Sequence, residues 1–334
     1  MRNLVTGATG LVGMHVVLDL LKKDEIVKAT FTKNSNFDYI NNLFAFYNKK
    51  TLLKKIEWVE MDIEDVTQVY HQINEVDHVY HCAAIVSFSK KQRIKMQNIN
   101  IKGTANIVNA CIENKVKKLG FISSVAAIGR KGNNNIYSEK NSWVDSSDNS
   151  YYAISKHKAE NEIWRGIQEG LDAVITNPGI IIGPSNWDRS STSLFKKIYY
   201  GLSYFPNGSN GFVDVRDVSK SIIELVNSKV SGGRYIVVSE NITYESVFKI
   251  IANNLKVKYP HKIATKNLLS IVWRLEAIKC FFTKKNPQIT KETVRTSIQK
   301  NDYLNDKIIK QLNYKFNSVE EAIENASNYI LEFK

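Results

Sequence analysis

At 334 residues, with 43% hydrophobic and 24% charged residues, the chain reads as an ordinary globular protein able to bury one large domain or two unequal ones. Its formal charge of +13 comes largely from scattered lysines, which predicts a solvated surface that attracts anionic cofactors and substrates, not a nucleic-acid binder. Cys82, Cys111 and Cys280 are odd in number and far apart, which suits reduced thiols and neither a disulfide framework nor a metal site, and no apolar run approaches the roughly 20 residues of a membrane span.

The chain enters a strand pattern at once instead of a signal peptide, so a cytoplasmic location without membrane insertion is expected. Strands are predicted at "RNLVTG", "EIVKATFT", "IEWVEMD", "DHVYHCAA", "KKLGFISS" and "DAVITNPG", with helices between them. That alternation predicts an α/β fold, a Rossmann-type doubly wound parallel sheet over residues 1–184. Sheet segments return near residues 211–240, at "GFVDV" and "GRYIVVSE". Residues 185–210 and 241–334 are assigned to a smaller, mostly helical substrate-binding lobe. The most basic part, residues 256–300, holds "NLLSIVWRLEAIKCFF", a candidate amphipathic helix read as covering a pocket, with a membrane-surface role as the other reading.

"VTGATGLVGMHVVLDLLKK" is a strand, a glycine-spaced loop and an amphipathic helix. Gly7, Gly10 and Gly13, with Thr9, Leu11 and Val12 beside them, form a loop whose backbone N–H groups can approach a pyrophosphate at a helix N-terminus. An acidic residue ending the second strand would hold the adenosine ribose of NAD, but "KATFTKNSN" has none. Thr32 and Lys33, with Asn34 and Ser35, supply donors and positive charge instead, so NADP is preferred over NAD. After the third strand, Asp62 and Ile63 are placed to flank an adenine; capping of the next helix by the Asp62 carboxylate is the competing reading.

In "SYYAISKHKAEN" only residues three or four apart share a helix face, so Tyr152 and Lys156 can meet whereas Tyr151 and Lys156 cannot. Together with "TGATGLVG", "VYHCAAIVSF", "NIKGTANIVNAC", "FISSVAAIG", "YAISK" and "NPGIIIGP", in that order, the chain resembles the extended short-chain dehydrogenase/reductase superfamily, often called the NAD-dependent epimerase/dehydratase family. The resemblance implies that Tyr152 is the acid/base, that Lys156 is its partner and holds the nicotinamide ribose, and that Ser124 holds the substrate oxygen. It implies an organising role for Asn100, and cofactor contacts for Ala83, Ala84, Asn177 and Pro178. To act as a base near neutral pH, a phenol must lose roughly 3 pH units from its value near 10, about 4 kcal/mol, which a nearby ammonium can supply. Ser123 should point to the opposite side of its strand from Ser124. His81 reads as a satisfied residue at a strand end.

Departures from the family pattern bear on the reaction. Val125, Ala126 and Ala127 follow Ser124 where sugar dehydratases carry an acidic pair, and "TNPGIIIGP" with "VSF" looks like dihydroflavonol reductases. The expectation is reversible hydride transfer between NADPH and a small or medium carbonyl substrate, walled by Val86, Ser87, Phe88 and residues 180–187 including Trp187. Two readings stay open: a nucleotide-sugar epimerase with bound NAD, and a non-catalytic NAD(P)-binding regulator. The resemblance also implies a homodimer through residues 92–114 and 151–169.

Overall fold

The computed structural model describes residues 1–129, 135–187, 190–283, 287 and 289–333. Lys284, Lys285, Asn286 and Gln288 of the basic stretch lie outside the described residues. The strands are β1 (Arg2–Thr6), β2 (Ile26–Phe31), β3 (Ile56–Glu60), β4 (His78–His81), β5 (Lys118–Ile122), β6 (Ile136–Tyr137), β7 (Ala173–Pro178), β8 (Ile180–Ile182), β9 (Tyr204–Pro206), β10 (Ser209–Asp214), β11 (Gly233–Val237), β12 (Glu240–Thr243), β13 (Lys262–Ala264) and β14 (Asp302–Tyr303). The helices are α1 (Leu11–Lys22), α2 (Asp38–Phe46), α3 (Val66–Ile73), α4 (Arg93–Gln97), α5 (Thr104–Glu113), α6 (Tyr151–Gln168), α7 (Ser193–Tyr199), α8 (Val215–Asn227), α9 (Tyr244–Asn254), α10 (Lys266–Thr283), α11 (Lys291–Ile298), α12 (Asp306–Leu312) and α13 (Val319–Phe333).

Seven strands form one parallel sheet in the order β11-β7-β5-β4-β1-β2-β3. The order reverses between β1 and β4, and such a switch point opens a ligand crevice outside the carboxyl ends of the strands. Side chains alternate across the sheet, and the burial follows: Leu4 joins a core with α3, α5 and α6, whereas Val5 joins a second core with α1, α2, α8 and α13. Of the stretch expected to return to the sheet, β11 joins it beside β7. The preceding β10 does not; it pairs in parallel with β8 and antiparallel with β12 in a separate three-stranded sheet. β9 pairs with β13, and β6 with β14, as two small satellites.

The last helix is tied to the first third of the chain. Ala322, Ile323, Ala326 and Ile330 of α13 are buried in the same core as Leu20 and Phe44. Tyr329 donates to the Tyr39 carbonyl at 3.5 Å, and Tyr39 in turn donates to the Gly10 carbonyl at 2.8 Å. Asn325 donates to the Tyr47 hydroxyl at 3.0 Å. No helix among the described residues is long and apolar enough to cross a membrane.

Candidate active site

The glycine loop is shaped by close backbone approach. Gly7 has φ +62°, and a Cβ there would lie 2.7 Å from the Ala83 Cα, so loop and β4 exit touch backbone to backbone. A Cβ on Gly13 would meet the Gly7 carbonyl oxygen at 2.3 Å, which lets α1 start directly against the loop. Gly10, the N-cap of α1, offers no side-chain capping bond, so the first-turn N–H groups are left for an anionic ligand.

Beside this loop opens a cleft of about 290 Å³, lined by Gly7, Thr9, Gly10, Thr30, Phe31, Thr32, Ser35, Met61, Asp62, Ile63, Cys82, Ala83, Ala84, Ile85 and Ile99. The residues fit a dinucleotide: a glycine cradle with small Ala83 and Ala84 against it, and Asp62 with Ile63 in the same lining. Asp62 is not the cap of α3; Asp65 is, accepting from the Gln68 amide at 3.1 Å, which leaves Asp62 at the cleft. Lys33 is exposed and is not among the lining residues, whereas Thr32 and Ser35 are. The Ser35 hydroxyl accepts from the Thr32 amide at 2.9 Å and from Thr9 at 3.3 Å, linking the β2 exit to the glycine loop. Leu11, Val12 and Gly13 lie in the first turn of α1, behind the lining residues.

A buried relay connects that loop to the next helix. Thr104 donates to the Asn100 carbonyl at 2.7 Å, so its oxygen accepts from His81 Nε2 at 3.0 Å. His81 Nδ1 is therefore the bare nitrogen and accepts from the Thr6 hydroxyl at 2.7 Å. The same Thr6 oxygen accepts the amides of Cys82 and Ala83, each at 3.1 Å. Burial pushes the His81 imidazole down to about 3, so it stays neutral in this tautomer at working pH. His81 is thus satisfied, as its position at a strand end suggested, and Thr6 and Thr104 are the partners that sequence reading missed.

Asn100 sits in a π-helical turn, Asn98–Gly103, between α4 and α5. Such turns re-aim side chains, and this one points Asn100 at the chain after β4. Its Oδ1 accepts the Ile85 amide at 2.8 Å, and its Nδ2 donates to the Ile85 carbonyl and to Ser155, each at 3.0 Å. Ser155 donates onward to the Tyr152 carbonyl at 2.8 Å, so Asn100 fastens the first turn of α6. That turn is capped by Ser150, whose hydroxyl accepts the Ala153 amide at 3.0 Å, a bond of about 1 kcal/mol.

The Tyr152 phenol is held above its ordinary range by burial, which the neighbouring Ser124 hydroxyl partly offsets. Lys156, one turn along α6, is 2% exposed; its Nζ donates to the Ile122 carbonyl at 2.7 Å and lies 4.5 Å from the Phe121 ring centre. Burial pushes this ammonium down to about 8, against the pull of Glu160. Tyr151 lies under Arg93, and Lys158 is exposed. The two adjacent serines part ways: Ser124 faces Tyr152, whereas Ser123 donates to Glu160.

Glu160 belongs to a cluster that sequence reading did not assemble. Its carboxylate, 1% exposed, accepts from Ser123 and Asn177 and pairs with Arg234 at 3.4 Å. Asn177 Nδ2 also donates to the Ser124 carbonyl at 2.9 Å, while its buried Oδ1 has no partner among the described residues. Pro178 follows at the end of β7, in register with Val237. The one legible signal was spacing, since Glu160 falls four residues after Lys156 on the same helix face.

Of the expected substrate wall, Phe88 packs edge-on to Tyr152 with ring centres 6.2 Å apart. Val86 is 61% exposed, and Ser87 accepts the Ser89 amide at 3.1 Å. Trp187 sits in a separate aromatic group with Tyr199 and Tyr200, at 5.7 and 6.0 Å.

A glycine loop opening α1, a cleft at the sheet's switch point and a tyrosine–lysine pair on the helix before β7 define a short-chain dehydrogenase/reductase of the extended type. The family model described as "NAD dependent epimerase/dehydratase family" matches residues 3–238, and the chain belongs to that family of NAD(P)-dependent enzymes. A Synechocystis protein provisionally named dihydroflavonol 4-reductase is 28% identical over 335 residues, spanning 97% of this chain and 93% of that protein. Tetraketide alpha-pyrone reductase 2 of Arabidopsis thaliana is 27% identical, over 77% of this chain and 83% of its own. The crystal structure of gox2253 superposes with a TM-score of 0.82 at 25% identity, covering 99% of this chain and 98% of that one.

Proposed function

We propose that this protein catalyses reversible hydride transfer between NADPH and a small or medium carbonyl substrate. The observation that carries the reading is the Tyr152 phenol beside Ser124, one helical turn from a buried Lys156. Bound in the cleft, the reduced nicotinamide supplies hydride to the carbonyl carbon. Ser124 and Tyr152 hold the carbonyl oxygen; as the C=O pair moves onto that oxygen, Tyr152 gives it a proton and becomes a phenolate. Lys156 stabilises the phenolate by its charge and holds the nicotinamide ribose through its N–H donors. Asn100 acts through Ser155 to orient the turn that carries Tyr152. Phe88 and Val86 supply an apolar wall, and Asn177 Oδ1, unpartnered among the described residues, is an acceptor for a cofactor or substrate donor.

Preference for NADP rests on the β2 exit, where no carboxylate would repel a 2′-phosphate and Thr32, Ser35 and the nearby Lys33 favour one. The names of the curated relatives favour a reductase over an epimerase. A homodimer through residues 92–114 and 151–169 is part of the reading, supported by Ile94 standing 72% exposed there.

Consumption of NADPH over a panel of aldehydes, ketones and nucleotide sugars tests the reaction. Stoichiometric oxidation of NADPH by a carbonyl is expected; sugar epimerisation with no net cofactor change overturns the reading. Tyr152→Phe should lose about 10²–10⁴-fold in rate while cofactor affinity holds, with Tyr151→Phe unaffected. Calorimetric titration with both cofactors checks the NADP preference, which tighter NAD binding contradicts.

A further inference from the structure

The family's chemistry leaves one surface unused. Between residues 256 and 300 stand eleven Lys or Arg against only Glu276 and Glu292, so nine of the chain's thirteen net positive charges fall in this stretch. The stretch is built around α10, whose Ile271, Leu275 and Ile278 are 57%, 60% and 57% exposed. Their spacing of four and three residues puts them on one helix face. The opposite face is the packed one, where Cys280 is buried at 6% exposure and Val272 and Trp273 are half-buried. On a helical projection Arg274 flanks the aliphatic stripe on one side and Lys279 on the other, and Lys266 stands exposed at the helix start. The strand leading into α10 adds Ile263, 52% exposed, beside Lys262.

An aliphatic stripe between long cationic side chains matches an interface with apolar depth and anionic headgroups, where lysine and arginine stems lie along the apolar surface and their heads reach the phosphates. We propose that α10 docks this protein on the surface of an anionic lipid bilayer. A second copy of the chain fits less well, because a two-fold contact would set one ninefold-positive stretch against another. Nucleic acid fits less well too, because three exposed aliphatics occupy the centre of the face where phosphate contacts are needed. Docking is peripheral and independent of the hydride-transfer reading.

Sedimentation of the full chain with phosphatidylcholine vesicles, with and without phosphatidylserine, tests the proposal. Binding is expected to be at least about tenfold tighter to the phosphatidylserine vesicles and to weaken as salt is raised. The variant Ile271→Ser/Leu275→Ser/Ile278→Ser should lose at least about tenfold in vesicle affinity, and Arg274→Gln/Lys279→Gln should lose the preference for the anionic lipid. The fluorescence of a Leu275→Trp variant, which adds a probe at an exposed position, should be quenched by brominated lipid. The proposal is overturned by absence of sedimentation with anionic vesicles, by undiminished binding of the triple-serine variant while it melts like the parent, or by brominated lipid leaving the fluorescence of the Leu275→Trp variant at the level of the parent protein's response. It is equally overturned by self-association that those substitutions abolish in a protein that ignores vesicles.

Discussion

Lys156 is a cation held where water cannot reach it, and its chemistry follows from that cost. Because burial pushes it down to about 8 from 10.5, the folded, cofactor-free protein releases this proton earlier than the unfolded chain does. Over that window the unfolded state binds more protons, so stability rises with pH, and Lys156→Met should remove that part of the rise in denaturant titrations. Activity moves the opposite way. In the reducing direction the ammonium must be charged to stabilise the phenolate, so kcat/KM should decline as pH rises above about 8. Glu160 carries a different kind of weight, since Ser123, Asn177 and Arg234 all converge on it. Glu160→Ala would leave a largely buried guanidinium without its partner, and a loss of about 3 kcal/mol in unfolding free energy is expected by chemical denaturation. At this scale the sequence was legible where geometry is local: helix spacing puts Tyr152, and not Tyr151, on the face of Lys156, whereas the preference for Ser124 over Ser123 came from the family resemblance. The Glu160 cluster was not, because it joins α6, β7 and β11 across separations of up to 74 residues, and no spacing rule spans that distance.

Among the elements, the glycine loop and α1 show how tightly a local pattern can bind a local structure. Gly13 has no room for a methyl group, with the Gly7 carbonyl 2.3 Å from where a Cβ would stand. Gly13→Ala should therefore force α1 away from the loop, cost about 1–3 kcal/mol in thermal stability and weaken cofactor binding at least tenfold by calorimetry. The doubly wound parallel sheet was legible for the same reason, since alternating β and α patterns with right-handed crossovers leave few other topologies. Where the elements are short and polar, pattern gave less. β10 reads like a returning strand of the main sheet, yet its partners are β8 and β12, a choice set by tertiary packing and not by its own residues. Lys33 shows a similar limit: charge at the β2 exit was visible, but which side chains line the cleft depends on a turn closed by Ser35.

Across the whole molecule, the core under β1 and β2 is completed by α13. Ile323 is fully buried there, so Ile323→Ala should cost about 2–5 kcal/mol and lower the midpoint of one cooperative unfolding transition. The net charge was legible in composition and its clustering in the order of residues, but the meaning of that clustering was not. Only the structure separates the packed face of α10 from the aliphatic face that stays in solvent. The brace from Tyr329 through Tyr39 to the Gly10 carbonyl has a consequence for biosynthesis. A ribosome makes the loop at residues 7–13 long before the helix that steadies it. The growing chain therefore carries an unbraced loop until α13 has been made.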